Sequence, residues 1–328
     1  MSTTTTTRMQ IDNDSSVEWL KLGPVMLALL FLQLPIFAQS PELLMPGKIS
    51  TQYKERDMTI TVDGNHLLYS VHSYDNAHRM IVEMKKNGSI WSDAEVSSFS
   101  GKYKDLEPMF APSGKRLYFA SDRPLFETDD TNDYNIWYVD KVKEGWGEPI
   151  PLDSLINTDG DEFYPSISNK GTLYFTATRE GGKGKEDIFF SLYQNGRFQR
   201  PLSMDSAINT PTYEFNSFID PDENYILFSS YGRSDGLGGG DIYISHKIND
   251  QWQPAINLGD QINSEKLDYC PFVSADAQVF YFTSNRKDKS EAGSVSELRR
   301  LMNNTQNGFD NIYHLPIKNV IINTRSTK

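Results

Sequence analysis

Cysteine and histidine are both scarce in this sequence, which has one cysteine, Cys270, and five histidines scattered along 328 residues. A single cysteine excludes a disulfide framework and a cysteine-based zinc site. Because no histidine lies near Cys270 in sequence, we interpret it as a buried strand residue rather than a nucleophile. The sequence shows no serine–histidine–aspartate, paired-histidine or cofactor signature. We therefore assign no catalytic residue.

Positive charge is also in short supply, with 32 lysines and arginines against 44 aspartates and glutamates and a formal net charge of -12. Binding to nucleic acid requires a basic surface that neutralises phosphates, so a nucleic-acid partner is excluded. Aromatic residues, in contrast, are abundant at 12%. That content is too high for a disordered acidic chain and is typical of a sheet-rich globular protein.

Long apolar runs are absent except near the start of the chain. Residues 24–32 are apolar and continue at 34–37, with Lys21 before them and Ala38 after them. This is the layout of a signal peptide, which we assign to residues 1–38 including a polar N-terminal extension, with cleavage after Ala38. The tract is shorter than the roughly 20 apolar residues that a spanning helix needs, so a retained anchor is the alternative.

Export follows from this assignment. We expect a periplasmic or secreted protein with no stable membrane insertion once the signal is cleaved. No cysteine follows the apolar tract closely, so a lipid-anchored form is not supported. The mature chain remains acidic.

An aromatic triplet recurs about every fifty residues after the leader. The copies are Leu67-Leu68-Tyr69, Leu117-Tyr118-Phe119, Leu173-Tyr174-Phe175, Ile226-Leu227-Phe228 and Phe280-Tyr281-Phe282. A turn rich in proline, aspartate or glycine precedes most triplets, and short strand-like segments follow. A fixed period of this length is the signature of a repeat architecture.

Each repeat reads as four short antiparallel strands, which describes a blade of a β-propeller. Blades bury their faces against one another around an axis. We predict an all-β fold, a single propeller over residues 55–328, with five blades favoured and six as the alternative. Residues 39–54 are a linker or a strand that completes the last blade and closes the ring. A row of β-sandwich domains is the rival fold, and it does not require a common triplet.

Several segments resemble the repeat of a known family. The stretch 112–123, together with Asp241-Ile242-Tyr243 and Thr283-Ser284-Asn285-Arg286, resembles the Pro-Asp-Gly, WD-like repeat of TolB-like propellers. The resemblance implies a propeller, commonly of six blades. It implies no single function, because propellers of this type serve as binding scaffolds, accessory domains and some enzymes.

An arginine follows the triplet in four of the five repeats, and an aspartate or asparagine opens the next strand. The arginines are Arg123, Arg179, Arg233 and Arg286, and the acids at the strand openings are Asp187 and Asp241. A guanidinium can hold an oxygen acceptor bidentately, so we interpret these residues as structural links from the second strand to the third. The first repeat has His72 or Ser73 instead, and we expect its blade to be the loosest.

An acidic residue recurs before the first strand of every repeat. These residues are Glu55, Asp105, Glu162, Glu214 and Asp268. Because the first strand of a blade is the innermost, the five carboxylates could ring one mouth of the central channel and bind a cation or a basic peptide. The structural alternative, which we favour, is that each accepts backbone hydrogen bonds from a neighbouring loop.

Two loops stand out. The acidic segment 127–133 offers oxygen ligands without the glycine and glutamate of a helix-loop-helix calcium site, so no cofactor is assigned and calcium is a weak alternative. The insertion at 288–308 contains Ser294 and Glu297 at capping-box spacing, followed by Leu298, Leu301 and Met302. This pattern predicts a short helix whose apolar stripe meets a partner or, more in keeping with the pattern, packs on the propeller rim.

Two classes of function remain. The first is an exported, non-enzymatic propeller that binds a protein, peptide or glycan in the envelope or outside the cell. The alternative is a carbohydrate-active hydrolase or lyase that uses carboxylates around the axis, with Tyr164, Tyr213 or Tyr269 nearby. The absence of catalytic signatures and of sialidase-type repeats favours the first.

Overall fold

The protein is described here by a computed structural model, in which Met1, Thr3, residues 40–318 and residue 320 are described. The predicted signal peptide, its cleavage site and the anchor alternative fall outside the described residues. From residue 40 onward these residues belong to one compact unit, Ala38–Lys328. No helix within the described ranges is long and apolar enough to cross a membrane.

The chain forms five four-stranded antiparallel blades in a ring, which confirms the predicted five-bladed propeller. The first strand in sequence is β1 (Glu42–Leu43), which belongs to the last blade. Blade 1 contains β2 (Lys54–Ile60), β3 (His66–His72), β4 (Arg79–Asn87) and β6 (Glu95–Val96), with β5 (Ile90–Trp91) extending β4. Blade 2 contains β7 (Asp105–Phe110), β8 (Arg116–Ser121), β9 (Asn135–Asp140) and β10 (Ile150–Pro151).

The remaining blades repeat this order. Blade 3 contains β11 (Glu162–Ile167), β12 (Leu173–Ala177), β13 (Asp187–Ser191) and β16 (Leu202–Ser203), and β14 (Tyr193–Gln194) and β15 (Arg197–Phe198) form a hairpin before β16. Blade 4 contains β17 (Tyr213–Ile219), β18 (Tyr225–Tyr231), β19 (Asp241–Ile248) and β21 (Ile256–Asn257), with β20 (Gln251–Trp252) extending β19. Blade 5 contains β22 (Asp268–Val273), β23 (Val279–Ser284), β24 (Asn311–Pro316) and β1.

The ring is closed by a strand from the beginning of the described chain. In β1, Glu42 pairs with His314 of β24, and Leu43 pairs with Tyr313. The backbone N–H of Leu44 donates to the carbonyl of Ile312 at 2.8 Å, which extends the pairing. Residues 40–54 therefore supply the fourth strand of blade 5 and then cross to blade 1.

The antiparallel order gives the propeller two distinct faces. We call the upper face the one that carries the connections between second and third strands and between each fourth strand and the next blade. The lower face carries the other connections. Every first strand begins at the upper face and runs along the axis. The predicted acidic residues therefore lie at the upper end of the inner strands.

The core lies between neighbouring blades and explains the aromatic triplets. Leu68 and Ile81 of blade 1 pack with Leu117 and Phe119 of blade 2, and all four are fully buried. The same arrangement joins the later blades. Burial of a large apolar side chain contributes about 1.5–3 kcal/mol. The triplets recur because each blade packs on the face of its neighbour, and most of the triplet side chains are buried between the two blades.

The insertion in blade 5 contains the predicted helix, α1 (Val295–Met302). The Ser294 hydroxyl accepts from the N–H of Glu297 at 3.2 Å, as in a capping box, while the Glu297 carboxylate accepts at 2.8 Å from the N–H of Gly293, one residue before the N-cap. No residue of the helix is buried. The expectation that it packs on the rim is therefore wrong, because Leu298 and Met302 face solvent.

Candidate functional site

The five predicted carboxylates are all buried at the upper ends of the inner strands. In four blades the carboxylate accepts a hydrogen bond from the backbone N–H four residues earlier. The donors are Thr51 for Glu55 at 3.1 Å, Thr158 for Glu162 at 3.0 Å, Thr210 for Glu214 at 2.7 Å and Ser264 for Asp268 at 2.5 Å. Asp105 instead accepts from the hydroxyls of Ser100 and Ser121. The backbone contacts in these four blades are those of the structural alternative, whereas Asp105 accepts from side chains only, and ligand binding by the five acids stays a prediction.

The four arginines pair with these same acids. The ion pairs are Arg123–Asp105 at 2.5 Å, Arg179–Glu162 at 3.6 Å, Arg233–Glu214 at 3.1 Å and Arg286–Asp268 at 2.6 Å. Each arginine also donates to a backbone carbonyl in the loop that precedes its blade. The arginines therefore link the second strand to the first strand and to the preceding loop.

The predicted partners of the arginines, at the start of the third strand, were wrong. Asp187 accepts instead from the N–H groups of Lys183 and Gly184, at 2.6 and 2.9 Å. Asp241 accepts from the N–H of Leu237 at 2.5 Å. Both aspartates close their own loops, since the arginine side chain turns inward to the buried first-strand carboxylate.

Glu162 has the longest of the four ion pairs, so its arginine does least to offset the cost of burying a charged carboxylate. Its pKa is raised to about 7 because burial disfavours the charged carboxylate. The hydrogen bonds from Thr158 and the charge of Arg179 offset this only in part. The pKa of Glu162 therefore lies near neutrality although its carboxylate is buried and bonded to its own chain.

Blade 1 departs from this scheme. Glu55 has no arginine and is held by Thr51 and by the amide of Asn311 at 3.3 Å. His72 is 4% exposed, and its Nε2 has no hydrogen-bond partner in the part of the chain that the structure describes. Burial and the nearby cations Arg56 and Arg79 lower the pKa of His72 to about 2, so it is neutral. Whether blade 1 is the loosest blade stays a prediction.

The structure also reveals a set of residues that sequence reasoning missed. Every inner strand has a β-bulge, and its residue two positions after the acid has a left-handed backbone. These residues are Asp57, Glu107, Tyr164, Asn216 and Cys270, with φ from 49° to 60°. A bulge redirects a side chain out of the regular alternation. We call these five residues, together with Arg56, the axial cluster.

One guanidinium joins carboxylates from two blades in the axial cluster. Arg56 donates through Nε to Asp57 at 2.7 Å and through Nη2 to Glu107 at 3.0 Å. The Cys270 thiol donates to Asp57 at 2.7 Å, and the Tyr269 ring lies 4.7 Å from the Arg56 guanidinium. Blades 1, 2 and 5 are thereby connected across the axis.

Tyr164 and Asn216 connect the other two blades to the same group. Tyr164 donates its N–H to Glu107 at 2.7 Å and its phenol hydroxyl to the carbonyl of Pro271 at 3.0 Å. The Asn216 amide donates to Glu107 at 3.3 Å. All five blades therefore contribute to one polar network, and side chains fill this section of the axis.

The electrostatics of the axial cluster are those of a buried ion group. Burial and the charge of Asp57 raise the pKa of Glu107 to about 7, while Arg56 opposes the rise. Burial also raises the pKa of the Cys270 thiol, which keeps it protonated. The interpretation of Cys270 as a buried strand residue is confirmed.

The lower end of the axis is apolar and nearly closed. A cavity of about 60 Å³ lies there, lined by side chains that include Met109, Phe218 and Phe272. The rings of Phe218 and Phe272 are 5.4 Å apart and nearly perpendicular. This end offers little room for a polar ligand.

The upper face is different in both shape and composition. Grooves lie between blades 1 and 2, 2 and 3, and 4 and 5, with volumes of about 430, 490 and 720 Å³. Of the six exposed aromatic side chains in the described chain, five lie on this face. They are Tyr53, Tyr74, Phe126, Tyr231 and Phe309, and the sixth, Tyr193, lies on the lower face.

The acidic loop of blade 2 folds onto itself. Asp129 accepts from the N–H groups of Leu125 and Thr131 at 2.8 and 3.2 Å. Within residues 40–318, no group of three or more histidine, cysteine, aspartate or glutamate side chains is arranged to hold a metal ion. The geometry gives the calcium alternative no added support.

Comparisons with known proteins bear on the fold. No protein-family model matches the chain, and no curated protein sequence matches it. Among solved structures, it is similar to α-L-arabinofuranosidase from Lactobacillus brevis, with 10% identity, a TM-score of 0.51 and coverage of 83% of this chain and 92% of that one. It is also similar to the GH43 endo-arabinanase from Bacillus licheniformis, with 11% identity, a TM-score of 0.50 and coverage of 81% of this chain and 94% of that one.

TolB from Acinetobacter baumannii is a further neighbour, with 15% identity, a TM-score of 0.46 and coverage of 80% of this chain. The match spans 54% of the TolB chain. At these identities the likeness shows the fold alone. The chain is a five-bladed propeller, and its resemblance to the TolB-like repeat family stays a prediction.

Proposed function

We propose that this chain is a non-enzymatic propeller, exported to the periplasm or beyond, that binds a protein, peptide or glycan partner through its upper face. The observation that carries the proposal is the concentration of exposed aromatic side chains there, five of six, with exposures from 36% to 77%. Exposed aromatic rings supply large contact area at low entropic cost and are enriched in binding surfaces.

The state of the carboxylates supports a binding role over a catalytic one. Each of the five predicted acids accepts hydrogen bonds from its own chain, and four have arginine partners. A hydrolase needs two carboxylates that reach the substrate from an open pocket. Asp57 and Glu107 are 1% and 4% exposed, so neither reaches solvent in this conformation.

Cross-linking tests the assignment of the upper face. A photoreactive phenylalanine derivative replaces Tyr74 or Tyr231 on the upper face, or Tyr193 on the lower face as the matched control. In cells that make the protein, we expect discrete cross-linked products from the upper positions and none from Tyr193. Cross-links at Tyr193 alone would contradict the proposal.

One observation favours a carbohydrate-active enzyme as the second candidate. Glu107, with its pKa raised to about 7, lies beside Asp57, and a carboxyl group with a raised pKa next to a second carboxyl group is the arrangement from which a general acid is built. Opening of the axial mouth would be required. Assays on a panel of aryl glycosides, with Glu107→Gln beside the wild type, test this candidate, and turnover abolished by Glu107→Gln would replace the binding proposal.

A further inference from the structure

Arg79 differs from every other arginine in residues 40–318. The other arginines there are either exposed or paired with a carboxylate. Arg79 is half-buried and has no ion pair within the described chain. Its Nη1 donates to the Tyr134 hydroxyl at 3.0 Å, its guanidinium lies 5.5 Å from the centre of the Tyr134 ring, and its Nε has no acceptor among the described residues. A guanidinium removed from water with donors left over is costly unless an acceptor arrives.

Arg79 lines the groove of about 430 Å³ between blades 1 and 2 on the upper face. Lys102 and Lys104 also line it, and Tyr103 and Asp122 contribute to its wall. Asp122 already accepts from the N–H of Lys104 at 2.8 Å and lies 3.7 Å from its ammonium group. Arg79 and Lys102 form no ion pair among the described residues, although the charge of Arg79 acts on the buried Glu107 and Asp129 also lines the groove.

The aromatic wall adds a second recognition element. The Lys102 ammonium group lies 4.9 Å from the centre of the Tyr103 ring, and the Arg123 guanidinium lies 5.2 Å from it. A volume of 430 Å³ is within the usual range for a small-molecule site, about 300–1,000 Å³. The groove thus combines an unpaired guanidinium, an ammonium group and a ring.

We propose that the groove between blades 1 and 2 binds a sugar acid, with Arg79 and Lys102 holding its carboxylate and Tyr103 beside its ring. A guanidinium is the preferred bidentate partner of a carboxylate. Asp122 and Asn132, which also line the groove, offer polar groups to the hydroxyls of such a ligand.

An acidic peptide fits the same surface less well. The loop 127–133, with four acidic residues, borders the groove through Asp129 and Asn132. It would repel a segment carrying several carboxylates, whereas a sugar acid has a single carboxylate and several hydroxyl donors. The charge pattern therefore favours one anionic group surrounded by neutral polar ones.

This inference rests on the proposed function, since it assigns a ligand class to part of the same upper face. Calorimetric titration of the full chain with D-glucuronate tests it, with D-glucose and an acetylated tri-glutamate peptide as comparison ligands. We expect glucuronate to bind, glucose to show no detectable heat, and the peptide to bind at least about tenfold more weakly than glucuronate. Arg79→Gln should weaken glucuronate binding at least about tenfold, because a charge-assisted contact is lost.

Arg197→Gln is the matched control, because Arg197 is an exposed arginine on the lower face. It should leave binding unchanged. If Arg79→Gln does not fold, Lys102→Gln carries the test with the same expected direction. Absence of glucuronate binding, equal binding by the variants and the wild type, or preference for the peptide would each overturn the inference. If glucuronate does not bind but cross-links still form at Tyr74 or Tyr231, the sugar-acid inference is wrong and the proposed binding function is retained.

Discussion

Blade 1 holds the buried acid of its first strand with different partners from those used in blades 2 to 5. In blades 2 to 5 an arginine two residues after the end of the second strand holds the buried acid of the first strand. In blade 1 the equivalent acid, Glu55, is held by Thr51 and Asn311. The cations of blade 1, Arg56 and Arg79, face the axis and the upper groove instead.

The difference separates structural polar residues from functional ones. A contact present in four blades stabilises the ring, and its recurrence says nothing about a ligand. Arg56 also breaks the repeat but links Asp57 and Glu107 across the axis, whereas Arg79 breaks the repeat and has no ion pair among the described residues. Departures from a consistent local pattern are where functional sites are expected.

The largest effect is expected from Arg123→Met in blade 2. Asp105 would be left buried and without its ion pair, which lowers the free energy of unfolding by about 3–5 kcal/mol. Urea denaturation measures the change. Arg197→Met, at an exposed position, serves as control and should change stability by less than about 0.5 kcal/mol. Equal losses of stability in the two variants would contradict a structural role for Arg123.

A smaller effect is expected from Asn311→Leu, which removes an amide that contacts Glu55. Glu55 keeps its hydrogen bonds from Thr51, so we expect a loss of about 1–3 kcal/mol, below that of Arg123→Met. Denaturation under the same conditions gives the comparison. A loss as large as that in blade 2 would show that blade 1 depends equally on one residue.

The pH dependence of stability tests the axial cluster. Burial raises the pKa of Glu107 from 4.5 to about 7, so folding favours the protonated form. Its contribution to stability is present below about pH 4.5 and is lost as pH rises through about 7, by about 1–3 kcal/mol. Glu107→Gln should flatten this decline between pH 5 and 8, measured by urea midpoints. The exposed Glu144→Gln should not, and an unchanged slope in Glu107→Gln would contradict the assignment.

The smallest effect on stability is expected from Arg79→Gln. Arg79 has no ion pair in the described chain and one side-chain hydrogen bond, to Tyr134. Its loss should change the free energy of unfolding by less than about 1 kcal/mol. Thermal denaturation measures it. A loss close to that of Arg123→Met would mean that Arg79 is a structural residue like the repeated arginines.

Much of the architecture could be predicted from the sequence because the blades repeat. The aromatic triplets mark the second strands, and their burial follows from the packing of one blade on the next. The positions of the acids and arginines were also visible as repeats. Their pairing was not, since spacing alone does not show which of two acceptors an arginine side chain reaches.

The axial cluster could not be predicted because it depends on a backbone irregularity. Regular alternation places the residue two positions after each acid on the same side as the acid. The bulge and the left-handed φ redirect it, although the residues are not glycine. A signal did exist: Asp57, Glu107 and Asn216 are polar residues inside strands that are otherwise largely buried. Arg79 was missed for a related reason, since it belongs to no repeat.

The strand that closes the ring has a consequence for how the protein is made. Of the paired strands, β1 leaves the ribosome first and its partner β24 leaves last. Until residue 316 has emerged, β24 is incomplete and β1 has no strand to pair with in blade 5. Any chain interrupted earlier therefore exposes a strand edge, which is a template for self-association. Complete translation is thus a condition for a closed, monodisperse product.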